Sequence, residues 1–350
     1  GVDDIILATG DGITIVRLEQ VQELSFPELP EGLITKPTLV WLLEAAQAGV
    51  QDVQVTYLTA GISWQADYNI LLAADAGQLS MTGWVSLYNE SGATYKDAKL
   101  KLVAGDINRV SQQDVLLLTE KPAVLRSVGT PAVEERSFFE YHIYQVQRPV
   151  TVRDRQTKQI EFVTAPAVRA AKVFVYEASP KAFVTRGSAL TDPNYGILAD
   201  GKVQVHLEFD NKQESGLGLP LPKGTVRVYQ QDIDGGAELI GEDSISHVPR
   251  DEAVSLYLGD AFDIVGERIQ TDFVKLGERS LEESYQITLR NHKQEDVIVR
   301  VIEHLFRAQD AVVIESSMDY EMPNATTLEY AVPVAADAQA VLSYTVRYKW

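Results

Sequence analysis

The chain has no cysteine among its 350 residues. That absence excludes disulfides, thiolate zinc sites, iron–sulfur clusters and cysteine nucleophiles. Positive charge is also scarce, with 31 Lys and Arg against 50 Asp and Glu and a formal net charge of −19. Such a field opposes binding to nucleic acid or to an anionic membrane, both of which depend on Lys and Arg. No run approaches the roughly 20 apolar residues that a membrane helix requires. A cysteine-free, acidic chain fits an exported protein, so the expected location is extracytoplasmic: periplasm, cell surface or secreted. Any signal peptide is expected to have been removed or never to have been part of this chain.

What is present is globular. Hydrophobic residues make up 45% and charged residues 23%, enough to bury a sizeable core. The length suits two or three modules of about 100–150 residues each. Period-2 alternation dominates. Leu79, Met81, Gly83, Val85 and Leu87 alternate with Ser80, Thr82, Trp84, Ser86 and Tyr88, which assigns the first set to a core face and the second to the opposite face. The same pattern recurs at Val203–Phe209 and Leu342–Tyr348. Turn signals such as Asn89-Glu90-Ser91-Gly92, Asp234-Gly235-Gly236 and Asn291-His292-Lys293 separate these runs. The expected fold is mainly β, with tandem antiparallel β-sandwich domains of immunoglobulin-like type.

One short helix is expected near residues 37–48. Pro37 suits a first turn, Leu39, Leu42, Leu43 and Ala46 form a stripe, and Gly49 follows as a cap. Residues 1–50 then read as the tail end of an N-terminal β domain, with two strands around Gly10-Asp11-Gly12. Residues 51–210 form a first β-sandwich region. Residues 211–350 form a distal β region ending in an immunoglobulin-like sandwich at about 280–350. Residues 108–135 read as a long excursion, and Gln213 to Gly224 as a Gly- and Pro-punctuated boundary. Charge is uneven: residues 121–186 hold 11 basic and 6 acidic residues, whereas 231–284 hold 4 and 14.

Chemistry-bearing motifs are few. Gly61-Ile62-Ser63 starts a nucleophile elbow, but Gln65 stands where the second Gly is needed. The five histidines, at 142, 206, 247, 292 and 304, show no paired zinc spacing, and an imidazole at position 206 is expected on a polar strand face. Asp232 and Asp234 faintly suggest a calcium loop, with Asp243 at its twelfth position, where a bidentate Glu is usual. They are the weak metal candidates. Gly216-Leu217-Gly218 cannot cradle phosphate, because Pro220 and Pro222 block the helix that such a loop needs. The weak binding candidates are aromatic: Trp64, Tyr68, Trp84 and Tyr88, lying among small hydroxyl residues and suited to stack on sugar rings or a partner. No catalytic residue and no cofactor is assigned.

Specific words then become recognisable. Tyr57-Leu58-Thr59-Ala60-Gly61-Ile62-Ser63-Trp64-Gln65-Ala66-Asp67-Tyr68 is followed by Leu102-Val103-Ala104-Gly105-Asp106 and Phe138-Phe139-Glu140-Tyr141-His142. Gly216-Leu217-Gly218-Leu219-Pro220, Thr225-Val226-Arg227-Val228-Tyr229, Gly266-Glu267-Arg268 and Ile287-Thr288-Leu289-Arg290-Asn291-His292-Lys293 come after. From about residue 50 to the end, the chain resembles the bacterial domain of unknown function 4139 family, which includes the mucoidy-inhibitor-like proteins. The resemblance implies an exported or envelope-associated protein with β-sandwich domains, no established chemistry and no catalytic residues to carry over. The absence of a heptad segment suits the shorter type, without a coiled coil.

Three functions compete. The leading expectation is a non-enzymatic exported or envelope protein, a β-sandwich scaffold and binding module whose partner is a protein or a cell-surface polymer. A hydrolase with its site at a domain junction is the second. The third is a self-assembling surface protein, forming homo-oligomers through sheet edges.

Overall fold

The computed structural model describes residues 4–9, 12–17, 40, 42–44, 47, 49–105, 133–179, 190–197, 201–232, 234–308 and 310–350. Two compact units are present, residues 1–58 and 59–350. In the first, β1 (Asp4–Thr9) and β2 (Gly12–Arg17) form an antiparallel hairpin closing at Thr9 opposite Gly12. The expected helix is not found there. Val40, Leu42, Leu43 and Glu44 are non-helical, and Leu42 and Leu43 are exposed. A lone amphipathic stripe gains little from propensity unless a partner surface buries it. The rest of that span lies outside the described residues.

The second unit is mainly β, in several sheets. Its strands are β3 (Ile62–Leu72), β4 (Gln78–Asn89), β5 (Tyr95–Ala98), β6 (Lys101–Ala104), β7 (Val133–Phe138), β8 (Tyr141–Val146) and β9 (Val150–Val152). The long β10 (Gln156–Tyr176) is followed by β11 (Lys202–Asp210), β12 (Gly224–Gln231), β13 (Ala237–Ile245) and the equally long β14 (Ala253–Gly277). Then come β15 (Ser280–Asn291), β16 (Val297–His304), β17 (Asp310–Ser316), β18 (Glu321–Asn324), β19 (Thr327–Val334) and β20 (Ala338–Lys349). One hydrogen-bonded path runs β13-β12-β3-β4-β10-β11-β14-β15-β20-β17, and β16, β19 and β18 branch from β10. Small sheets β6-β8-β7 and β5-β9 complete the proximal part.

Alternation places the core as expected. Leu79, Met81, Val85 and Leu87 are all buried. Gly83 belongs to the same face because a Cβ there would lie 2.4 Å from Val163 and 2.9 Å from Phe162. Phe162 is the extra residue of a bulge in β10, between the pairs Glu161–Trp84 and Val163–Gly83. It packs edge-on against Tyr68 and Tyr144. A second irregularity follows between Ala165 and Val168. Past it, β10 leaves β4 and pairs with β11 and, in parallel, with β16. Its Val163, Ala165 and Val168 therefore enter a proximal core, and its Phe174 and Tyr176 a distal one.

The cores do not divide at residue 210. β12 pairs in parallel with β3, from Gly224 opposite Ala66 to Gln230 opposite Leu72, so Val226 and Val228 join the proximal core. The run from Gln213 to Gly224 is likewise packed, since Leu217 and Leu221 enter that core. Buried Tyr68 and Tyr144 donate to the carbonyls of Pro222 and Pro220, at 2.6 and 2.8 Å. The distal core takes Phe174, Tyr176 and Val203 besides residues 264–348. The expected excursion at 108–135 falls outside the described residues except for its last three.

The two parts repeat one device. β4 and β15 each have 12 residues and end in an asparagine that is 1% exposed. Asn89 Nδ2 donates to the carbonyls of Ala93, Val152 and Arg153, while its Oδ1 accepts from Ser91 N–H. Asn291 Nδ2 donates to Glu295, Val334 and Ala335, and its Oδ1 accepts from Lys293 N–H. Asn89 stands opposite Ile62 and Gln156, and Asn291 opposite Ile264 and Ala338. Strands β3, β4 and β10 thus correspond to β14, β15 and β20, position by position along the central strand.

The distal core also buries charge. Glu303 accepts from Arg268 Nε at 2.9 and 3.1 Å and from Tyr344 at 2.5 Å, and both ionised side chains are 0% exposed. Arg268 stacks 3.8 Å above Tyr285 and donates to Gly196 O. Burial pulls the Arg268 pKa down; Glu303, with Tyr344 and Tyr285, outweighs it and raises the pKa above the ordinary guanidinium value. Arg307 pairs with Glu283 and caps the carbonyls of Leu190, Asp192 and Tyr195. Breaking one partner of such a pair strands the other. Glu303→Gln is expected to cost about 3–5 kcal/mol in urea unfolding, and Arg268→Met with Glu303→Leu to recover much of it.

Candidate functional site

The alternation that fills the proximal core leaves the other face of β3, β4 and β10 turned outward. Trp84 and Tyr88 are half-buried on it. Directly across the ladder, Trp84 stands between Asp67 on β3 and Glu161 on β10, Ser86 between Gln65 and Gln159, and Tyr88 between Ser63 and Thr157. Ser86 itself is buried at 2% exposure, a difference from the exposure that its place in the alternation implies. The larger side chains around it cover the small hydroxyl. Its Oγ donates to Asp67 Oδ2 at 3.0 Å, and Arg227 lies 3.7 Å from Asp67 Oδ1. Beyond Tyr88 the face runs into a cavity of about 420 Å³ lined by Asn89, Glu90, Asp154, Arg155 and Gln156 among others.

The four aromatic candidates do not form one cluster. Trp64 and Tyr68 point from β3 to the opposite side of the sheet from Trp84 and Tyr88. Tyr68 is 0% exposed, with its hydroxyl committed to Pro222, and desolvation raises its pKa far above the ordinary phenol value. Trp64 packs against the proximal core and lines a cavity of about 500 Å³ with Lys223, Ser244 and His247.

The metal candidates also separate. Asp232 and Asp234 belong to the β12–β13 turn, where Asp234 Oδ1 accepts from Gly236 N–H. Asp243 lies six residues along β13 from Ala237, about 20 Å at the strand rise. Its carboxylate accepts from the backbone of Ser244 and Tyr257. Among the described residues no group of three or more His, Asp or Glu is placed to hold a metal ion.

A second polar face belongs to β14, β11, β10, β16 and β19. Here His206 bridges two partners. Gln204 Oε1 can only accept, so Nε2–H donates to it at 3.0 Å, and Nδ1 accepts from Ser255 Oγ at 3.1 Å. A cavity of about 700 Å³ lies beside Ser255, with Arg169, Glu208, Asp210 and Glu214 on its walls. Farther along, Arg300 joins Glu208 and Glu329, and His304 bridges Glu177 at 2.7 Å and Thr327 at 3.2 Å. Residues 206 and 304 lie 98 apart in the chain, and only the parallel β10–β16 pairing brings their strands onto one face. That pairing leaves no local mark in the sequence.

A family model described as domain of unknown function (DUF4139) matches residues 53–350. The chain belongs to that family. No curated protein matches the chain. The DUF4139 words first recognised in the sequence have structural duties here. Gly266 leaves room for the Tyr176 ring, which a Cβ would approach to 2.2 Å. Arg268 forms the buried ion pair, Asn291 is the strand-end clamp, and Pro220 accepts from Tyr144.

The His206 geometry has a measurable sign. Desolvation is the largest influence and lowers its pKa, against the opposing carboxylates of Glu208, Asp243 and Glu177. The unfolded chain therefore binds the proton first as pH falls. His206 contributes stability above about pH 6.5, and that contribution is lost on acidification through the lower folded value. Proton NMR should show the His206 ring titrating below pH 6.5, and His206→Asn should flatten the acid limb of stability against pH.

Proposed function

We propose that this DUF4139 protein is a non-enzymatic extracytoplasmic scaffold and binding module, built from tandem sandwiches of immunoglobulin-like type, with its ligand face on the proximal module. The observation that carries the reading is the pair Trp84 and Tyr88, half-exposed on a fully laddered sheet. Among the described strands, β4 is laddered to β3 and β10 alone. The corresponding positions of the repeated device, on the outer face of β15, are Gln286 and Arg290. The fold therefore accepts ordinary polar residues at these places, so the aromatics are surplus to folding. The structural duties of the DUF4139 words and the absence of cysteine support the scaffold and the exported setting. Sedimentation with bacterial cell-surface preparations should pull down the wild type and not Trp84→Ala with Tyr88→Ala, while Gln286→Ala behaves as wild type. Equal sedimentation of all three would dismiss the face.

One observation favours a second reading. Ser255, His206 and Gln204 form the nucleophile, base and orienter line of a hydrolase at the place where the two cores meet along β11. Ser255, however, sits on an open strand and not on a strained turn that would present its Oγ. A fluorophosphonate probe is expected to leave Ser255 unlabelled. Labelling at Ser255 that His206→Ala abolishes would install the hydrolase instead.

A further inference from the structure

We infer that the outer face of β3, β4 and β10 is a site for a neutral, hydroxyl-rich polysaccharide, with Trp84 as its stacking platform. The inference rests on the binding-module reading above and supplies its ligand.

The internal repeat provides the comparison. Trp84 with its neighbours Asp67 and Glu161 occupies the positions that Gln286, Ile269 and Ser343 hold in the distal copy. The same backbone thus carries an aromatic plane between two carboxylates in one module and an undistinguished surface in the other. An aromatic plane flanked by paired acceptors suits a sugar ring. Its C–H face lies on the indole while its equatorial hydroxyls donate sideways to the carboxylates. Asp67 is already oriented by Ser86 and Arg227, and its side chain is 15% exposed, so little ordering remains to be done on binding.

Charge selects the polymer. Asp67, Glu161 and Glu242 lie on this face against Arg227 and, at its far end, Arg169 opposite Gln78, three negative charges to two positive. That balance repels a polyanion and excludes a nucleic acid, although aromatic planes would otherwise stack on bases. A protein partner would need a contiguous apolar centre. Here each aromatic is separated from the next by Ser86 and flanked by hydroxyl, amide or carboxylate groups. Trp84 and Tyr88 are four residues apart on one strand, about 13 Å. That exceeds one sugar ring, so both planes are engaged only by an oligomer or polymer. The cavity beyond Tyr88 extends the path in the same direction.

Affinity electrophoresis of the whole chain tests this in gels containing a mixed-linkage β-glucan, a galactomannan, a soluble α-glucan or alginate. Retardation is expected in at least one neutral polymer and not in alginate. Trp84→Gln, which installs the residue of the equivalent distal position, should weaken it about tenfold with an unchanged melting temperature; Tyr88→Ala should weaken it less, and Gln286→Ala not at all. If no neutral polymer retards the protein while Trp84→Gln still lowers sedimentation with cell-surface preparations, the face binds and the ligand class is wrong. If Trp84→Gln changes neither measurement, both the ligand class and the binding face fall. Stronger retardation in alginate would overturn the charge argument.

Discussion

Strand β10 has to serve the two packed clusters of the proximal part and the distal core, and that constraint organises the rest. A strand alternates faces with a period of two, so a long straight one would offer the same phase to both modules. The bulge at Phe162 shifts the inward phase from Ile160 to Val163 and Ala165, and the irregularity before Val168 shifts it back, so that Val168, Phe174 and Tyr176 share one parity. Val163 and Val168 can then fill one core, and Phe174 and Tyr176 the other. Gly83 on β4 and Gly266 on β14 are the matching concessions, each vacating a Cβ volume for a ring or branched side chain of β10.

Much of the sheet interior was legible in the sequence. The alternation around Val85 identifies its core face correctly, because one-sided burial writes period 2 directly into residue choice. The helix was misread because a leucine stripe specifies a surface and not the partner needed to bury it. Gly- and Pro-rich segments look alike whether they link domains or, as at Pro220 and Pro222, offer carbonyls to buried tyrosines. The repeat was missed because its trace is short. Ser86-Leu87-Tyr88-Asn89 and Thr288-Leu289-Arg290-Asn291 share a hydroxyl residue, a leucine and the clamp asparagine, while the outward positions between them are free to differ.

The candidate sites were legible in half. Trp84 and Tyr88 could be placed on one face from alternation alone, but the partners that give the face its chemistry come from strands 17 and 77 residues away, as Asp67 and Glu161 do for Trp84. Ser255 and His206 meet only because β11 and β14 are adjacent. Trp64 and Tyr68 were grouped with the outer aromatics because strand β3 carries large rings inward, where their hydroxyl or ring edge finds a buried partner.

A continuous strand common to both cores has a mechanical consequence. Two domains joined by a linker can swivel, and tension straightens the linker before it reaches either fold. Here no linker intervenes along β10: its ladder with β4 gives way directly to its ladders with β11 and β16. Tension applied to one module is delivered along the backbone into the other, so separating them requires hydrogen bonds to shear together. The 59–350 unit should therefore behave under load as a stiff strut, transmitting force where a hinged pair of domains would absorb it.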